Sequence, residues 1–163
     1  MAATFEWVET NGSPGSKTTG RTECNFKSVD DSTTNYATSP IQAPTVGSSY
    51  SYEKWIQGHF QGSYSDISDV KFWKSGGTLD AALSINAGTA DHTTGYSQPV
   101  NSKSTVAGHN EVPTDEASAL DLNTDGVTGD EYTDYVTLQL QVGTAAPSGD
   151  IGVQTFTMKY NES

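Results

Sequence analysis

The sequence predicts an all-β protein: an antiparallel β-sandwich, jelly-roll-like, with long loops and at most one short helix. The 163 residues include 22 Thr, 19 Ser, 16 Gly and 8 Asn, which is too many small and turn-forming residues for a helical bundle. Hydrophobic residues make up only 33%, but 3 Trp, 8 Tyr and 5 Phe are bulky enough to build a core from alternate strand positions. Wherever a hydrophobic period is clear, it is two residues, the period of a strand.

The length suits one domain, residues 1–163. Short strands are predicted at residues 5–9 and 24–29, and in the second of these Cys24 and Phe26 would share a face. Residues 1–20 are open to a second interpretation as an N-terminal arm.

Residues 50–60 form a longer aromatic run whose alternation is mixed, which predicts either a bulge or burial on both faces of the strand. Further strands are predicted at residues 69–73, after a turn-rich linker, and at 81–85, after Gly76 and Gly77. About seven or eight strands at these spacings suit a sandwich or a jelly roll.

Residues 136–142 show the clearest strand pattern, because hydrophobic residues alternate with Thr and Gln. Residues 154–160 repeat the pattern, so the two strands either pair or lie in facing sheets. The predicted inward residues are Val136, Leu138, Leu140, Val142, Phe156, Met158 and Tyr160. A helix of one or two turns is predicted over residues 113–120, where Pro113 and the acids after it suit a first turn.

Two long loops are predicted, at residues 32–51 and 88–112. The first is rich in Ser, Thr and Pro and has no charged side chain, and the second contains Pro99 and two of the three histidines. Loops of this length in a compact domain usually serve a function or form an interface.

The composition excludes several classes of partner. A net charge of −12 disfavours nucleic acid and anionic lipid, which attract basic surfaces. The single cysteine, Cys24, can form neither an intramolecular disulfide nor a cysteine-based zinc site. No secretion signal and no membrane-spanning segment is evident, so we expect synthesis in a cytoplasm.

One segment resembles a calcium-binding loop. Residues 121–126, DLNTDG, match the first half of an EF-hand loop, with Asp121, Asn123 and Asp125 as possible ligands. Tyr132 stands at the twelfth position, where a closing carboxylate is required, so the sequence favours an ordinary turn and predicts no metal site.

No other group of residues predicts chemistry. His59, His92 and His109 lie in no metal-binding motif, and no serine lies in a nucleophile elbow. A pair of carboxylates for glycoside hydrolysis would have to be assembled by the fold from residues such as Asp66, Asp69, Asp80 and Glu111. No phosphate-binding or dinucleotide motif occurs, so we predict no catalytic residue, no cofactor-binding residue and no cofactor.

Trp55 and Trp73 are open to two interpretations. They could together form a stacking platform for sugar rings, but each lies in an aromatic strand segment, which favours a place in the core.

Two segments resemble small proteins encoded among the structural genes of tailed bacteriophages. Residues 60–74, FQGSYSDISDVKFWK, are similar to a motif in these proteins. Residues 132–142, YTDYVTLQLQV, followed by AAPSG at 145–149 and YNE at 160–162, are similar to their C-terminal part. These motifs record strands and turns and bring no catalytic residue with them.

The resemblance implies a non-enzymatic structural protein of the virion, a capsid decoration or minor capsid protein. Its expected partners are the major capsid protein or other virion proteins. It is expected to form a homo-oligomer, a trimer being favoured by lattice symmetry. The alternative is a carbohydrate-binding β-sandwich module, and the third class is an enzyme whose residues meet only in the folded chain.

Overall fold

The computed structural model describes residues 2–35 and 37–163. Met1 of the possible arm and Tyr36 of the first predicted loop lie outside the described residues. Within them the chain forms strands and one 3-10 turn, and every strand pairing is antiparallel. The strands are β1 (Thr4–Asn11), β2 (Ser16–Arg21), β3 (Ser48–Tyr50), β4 (Lys54–Gln61), β5 (Ile67–Gly76), β6 (Leu83–Ala90), β7 (Asn110–Glu111), β8 (Leu120–Leu122), β9 (Asp130–Tyr132), β10 (Tyr135–Gly143) and β11 (Thr155–Glu162).

The strands form two sheets of unequal size. The larger has the order β2-β1-β4-β10-β6-β7, with β3 also paired to β10 and β9 also paired to β4. The smaller has the order β11-β5-β8. The two sheets pack against each other, so the predicted antiparallel β-sandwich is confirmed. The finer prediction of a jelly roll is not confirmed, because eight strands lie in one sheet and three in the other.

The core lies between the sheets. Val136, Leu138, Leu140 and Val142 are buried on the inner face of β10, as predicted. On β11, Phe156, Met158 and Tyr160 pack against this core from the facing sheet. Aromatic contacts join the sheets directly: the Phe60 and Tyr160 ring centroids are 4.6 Å apart, and those of Trp7 and Phe72 are 6.2 Å apart.

The central strand β4 explains the mixed pattern of the aromatic segment. Every residue from Lys54 to Phe60 is buried, because one face of β4 meets the core and the other is covered by loop. Gly58 of β4 lies close to Met158 of the facing sheet. A Cβ built there would be 2.6 Å from Met158 Sδ and 2.9 Å from Phe5 Cε2, so a larger residue does not fit without rearrangement.

The structure departs from the sequence-based predictions at the N-terminal end. Most of residues 1–20 is not an arm, because β1 pairs with both β2 and β4 and buries Val8 completely. Residues 24–29 form no strand and belong to a long loop over residues 22–47. The predicted helix is a single 3-10 turn, Glu116–Ser118, which the Asp115 side chain caps by accepting from the Ser118 N–H.

The short strands β2, β7, β8 and β9 were not predicted, since six residues or fewer with no clear alternation carry little signal. Among the described residues, no helix has the length and hydrophobicity needed to cross a bilayer.

Candidate functional site

Two long loops pack against the larger sheet, one at its inner face and one at its outer face. The first loop, residues 22–47, lies beside the inner face of the larger sheet, and its Phe26 and Ile41 pack against the core. Because the smaller sheet has only three strands, part of the larger sheet's inner face needs this cover. The second loop, residues 91–109, lies on the opposite, outer face of β4 and β10.

A buried ion network lies beneath the first loop. Glu9 is completely buried on β1, and its Oε1 accepts a hydrogen bond of 3.0 Å from the Lys54 ammonium on β4. Arg21 Nη2 lies 3.1 Å from Glu9 Oε2, without the alignment of a hydrogen bond. Lys54 also donates to the carbonyl of Asp31, which joins the loop to the strands.

A second ion pair orders the loop itself. The fully buried Lys27 donates to the Asp31 carboxylate at 3.1 Å and also to the Thr33 hydroxyl. Partial burial opposes ionisation of Asp31, but the hydrogen bonds from Lys27 and Thr33 outweigh it and lower the pKa of this carboxyl. Three of the eight basic residues, Arg21, Lys27 and Lys54, thus form these internal ion pairs. Fewer basic residues remain to offset the acidic residues at the surface.

Cys24 borders the same network. Desolvation raises the pKa of its thiol to about 11, and the nearby Glu9 carboxylate acts in the same direction. A thiol of this kind stays protonated at neutral pH and is a poor nucleophile.

The second loop is held by buried polar side chains of the sheet. Gln139, on the outer face of β10, donates to the carbonyls of Ser51, Val100 and Ser102 and accepts from the Ser104 N–H. All four bonds lie between 2.8 and 3.3 Å. One side chain therefore fixes three successive points of the loop.

Aromatic packing completes this attachment. Trp55 is 1% exposed, packs edge-on against Tyr96 and Tyr135, and donates from its indole to Glu53. The Tyr96 hydroxyl donates to the carbonyl of Gly12, and burial raises the pKa of that hydroxyl. The core interpretation of Trp55 is thereby supported, although the tryptophan lies under a loop and not between the sheets.

An open groove of about 600 Å³ lies where the two loops meet. Ile41 and Gln42 line it from the first loop, Asn101 and Lys103 line it from the second, and Tyr50 of β3 forms part of its floor. We call this surface the loop groove. Its hydroxyl, amide and aromatic groups suit contact with another molecule and hold no arrangement for bond breaking.

The residues of the calcium-like segment do not converge. Asp121 lies on β8 and accepts a hydrogen bond of 2.7 Å from Lys71. The Asn123 amide donates to Asp134, and Asp125 accepts from the N–H of Val127. Because each of these side chains contacts a different group, the segment has the arrangement of the ordinary turn that the sequence favoured.

His92 joins a cluster that its sequence position did not reveal. Asp91, His92 and Asp134 offer ligand atoms within 4.8 Å of one another. Asp134 Oδ1 accepts from the backbone N–H and Nδ1 of His92, and Oδ2 accepts from both the backbone and the amide of Asn123. Four hydrogen bonds saturate this carboxylate, so it has no lone pair free for a cation and acts as a clamp between loops.

His59 lies between two carboxylates. Its Nδ1 is 2.8 Å from Glu6 and its Nε2 is 2.6 Å from Asp130, while its ring stacks on Tyr132 at 4.0 Å. The Lys17 ammonium lies 3.5 Å from the centre of the same Tyr132 ring. These contacts join β1, β2, β4 and β9 and give His59 a structural role.

His109 is half-buried in the second loop, and this burial lowers the pKa of its imidazole.

The carboxylates considered for glycoside hydrolysis contact different partners. Asp69 lies near Lys71 and Asn161, Asp80 accepts from the Ala82 N–H, and Glu111 lies on β7 opposite Asn86. Asp66 exchanges backbone hydrogen bonds with Ser163 just before the start of β5. These contacts give no indication of a catalytic pair.

Trp73 lies apart from Trp55, on β5 of the smaller sheet, so the two form no common platform. Val70 and Phe72 of β5 are buried in the core, and Trp73 points to the opposite face, where it is half-buried. Alternation on β5 alone does not indicate which tryptophan is covered, because that depends on the loops.

Comparison with known proteins gave no match: no family model fits the chain, and no curated protein or solved structure is significantly similar to it.

Proposed function

We propose that this chain is a non-enzymatic structural protein of a virion, a capsid decoration or minor capsid protein, which attaches to the major capsid protein or its neighbours. The observation that carries the proposal is the attachment of the second loop to Gln139. A long polar loop held at three points by the buried Gln139 side chain presents a fixed surface, and a fixed surface loses little entropy when it docks.

Two further features support the proposal. His59, His92 and Asp134 are engaged in internal contacts of structural type, and four hydrogen bonds saturate the Asp134 carboxylate. The resemblance of residues 60–74, 132–142, 145–149 and 160–162 to phage structural proteins points in the same direction. A homo-oligomer on a lattice would bind through several weak contacts at once, which multiplies their effect.

The loop groove is the proposed docking surface. Lys103 is exposed at its rim and, among the described residues, takes part in no ion pair, so it is available to an acidic partner. Its position beside Tyr50 combines a charge with an aromatic surface, as protein interfaces commonly do.

The test is co-sedimentation of the purified chain with tailed-phage particles. We expect binding of the full chain and at least a tenfold weaker binding of Lys103→Glu, with Val127→Glu, an exposed residue between β8 and β9, as the control that still binds. Removal of residues 1–20 is unsuitable, because it deletes β1 and most of β2 from the larger sheet. Failure of every form to sediment, together with retention of the full chain on immobilised polysaccharide, would refute the virion role in favour of the carbohydrate-binding module.

A further inference from the structure

The outer face of the smaller sheet carries an unusual residue for an exposed strand. Trp73 points away from the core in the middle of β5, beside Thr157 of β11 in the pairing register. Lys71 lies two residues before it on the same face, and Ser75 lies two residues after it. A large aromatic side chain here is not needed by the core, since Phe72 and Phe156 stack on the other face at 5.6 Å. We call this surface the Trp73 face.

The charges of the Trp73 face are paired with one another. Lys71 lies 2.7 Å from Asp121 and 3.7 Å from Asp69, and Lys159 of β11 pairs with Glu116 of the 3-10 turn. These basic and acidic groups nearly cancel, whereas the whole chain carries −12. The excess negative charge therefore lies on the rest of the molecule.

We propose that the Trp73 face docks a second copy of this chain. Two molecules of charge −12 repel each other over most of their surface, so they approach with least repulsion through faces that are close to neutral. A central tryptophan surrounded by ion pairs matches the pattern of interfaces, in which a buried aromatic residue supplies most of the energy and a polar rim excludes water.

The same face on both copies gives a twofold contact. The free protein is then a dimer, in place of the trimer that lattice symmetry favoured. This inference deepens the proposed function, because it supplies the self-association that a lattice protein would use, and it leaves the loop groove free for the capsid.

The size of the face limits its strength. β5, β11 and β8 contain 10, 8 and 3 residues, and at about 4.8 Å by 3.4 Å per residue they present roughly 340 Å² before the relief of the side chains is counted. A stable interface buries about 800 Å² on each partner. We therefore expect a reversible dimer with a dissociation constant in the micromolar range.

The experiment is analytical ultracentrifugation of the full chain from about 1 to 500 μM. We expect Trp73→Ala to weaken dimerisation at least tenfold, and Thr157→Glu to do the same by adding two like charges across the contact. The control is Val46→Ala, which removes a more exposed hydrophobic side chain, 85% exposed, from the first loop, outside the Trp73 face. Raising the salt from 50 to 500 mM should strengthen the wild-type dimer, because salt screens the repulsion between the two acidic molecules.

Three results would overturn the inference: a wild-type chain that stays monomeric at 500 μM, unchanged association of both face variants, or retention on polysaccharide that Trp73→Ala abolishes. The last would make the occupant a glycan. Thr157→Glu decides the outcome if Trp73→Ala fails to fold, since Thr157 contributes little to the core. Particle binding is measured separately, so a monomer that still binds particles refutes the dimer and leaves the proposed function standing.

Discussion

Replacing Lys54 with Met tests the buried ion network that fixes the first loop. The substitution keeps the length of the side chain but leaves the Glu9 carboxylate with no exposure to solvent and without its 3.0 Å hydrogen bond from an ammonium group. Removing one partner of a buried pair typically costs about 3–5 kcal/mol, because the remaining charge is uncompensated. Arg21 is near Glu9 but poorly aligned, so we expect it to moderate this loss without abolishing it.

The loss converts directly into a melting temperature. At about 2.1 cal/mol/K per residue, the entropy of unfolding of 163 residues is about 0.34 kcal/mol/K, so each kcal/mol lowers Tm by about 3 °C. Lys54→Met should therefore melt about 9–15 °C below the wild type in differential scanning calorimetry, with a matching loss of free energy in urea titration.

The matched control is Lys71→Met, which removes the same group from a solvent-exposed pair with Asp121. Surface pairs contribute about 0–1 kcal/mol, so this variant should melt within about 3 °C of the wild type. The double variant Glu9→Gln with Lys54→Met should recover part of the loss, because it leaves no buried carboxylate without its ammonium partner; the recovery is partial because Arg21 also loses its acidic partner. Equal melting of the two single lysine variants would refute the reasoning.

Four further predictions follow from single residues. Leu138→Ala should cost about 2–5 kcal/mol in urea titration, since Leu138 is fully buried, and a cost below about 0.5 kcal/mol would mean that the inner face of β10 was wrongly assigned. With the pKa of its thiol raised to about 11, Cys24 should react with iodoacetamide at pH 8 about 100-fold more slowly in the folded than in the unfolded chain, and rapid labelling detected by mass spectrometry would contradict this. Burial lowers the pKa of His109, so the unfolded chain binds its proton first and stability should fall as pH decreases below about 6.5; His109→Gln should lose that part of the slope when urea midpoints are compared at pH 7.5 and pH 5, and an unchanged slope would count against it. Calorimetry should detect no calcium binding in the micromolar range, and binding that Asp125→Ala abolishes would show that the residues of this turn rearrange around the ion.

The alternating strands were predictable because the hydrophobicity of each residue there indicates whether it faces the core. In β10, residues 136, 138, 140 and 142 alternate with polar residues, and the same positions form the core. The prediction of a strand over residues 24–29 was wrong, although hydrophobic and polar residues alternate from Cys24 to Phe26. The conformation of this segment is set by the contact of Lys27 with Asp31 and by the packing of Phe26 against the core. The segment pairs with no neighbouring strand. Local alternation is not sufficient when tertiary contacts offer a more stable arrangement.

The polar contacts could not be predicted, because their partners are far apart in the chain. Glu9 and Lys54 are 45 residues apart, and His92 and Asp134 are 42 apart. Neither pair stands at a spacing that marks a motif, so only folding brings them together. The same limit applies to the tryptophans: Trp55 and Trp73 occupy similar aromatic segments, but Trp55 is fully buried beneath a loop, whereas Trp73 is only partly buried.

The sequence by itself determined the class of fold, the positions of the main strands and the inner face of β10 and β11. These properties depend on hydrophobic period and turn composition, which are local. Only the tertiary structure decided that the sheets contain eight and three strands, that β1 and β2 belong to the larger sheet, and that the first loop lies over a buried ion network. Those features depend on free-energy differences between alternative long-range pairings. Residues from many segments contribute to these differences, so no single segment of the sequence predicts them.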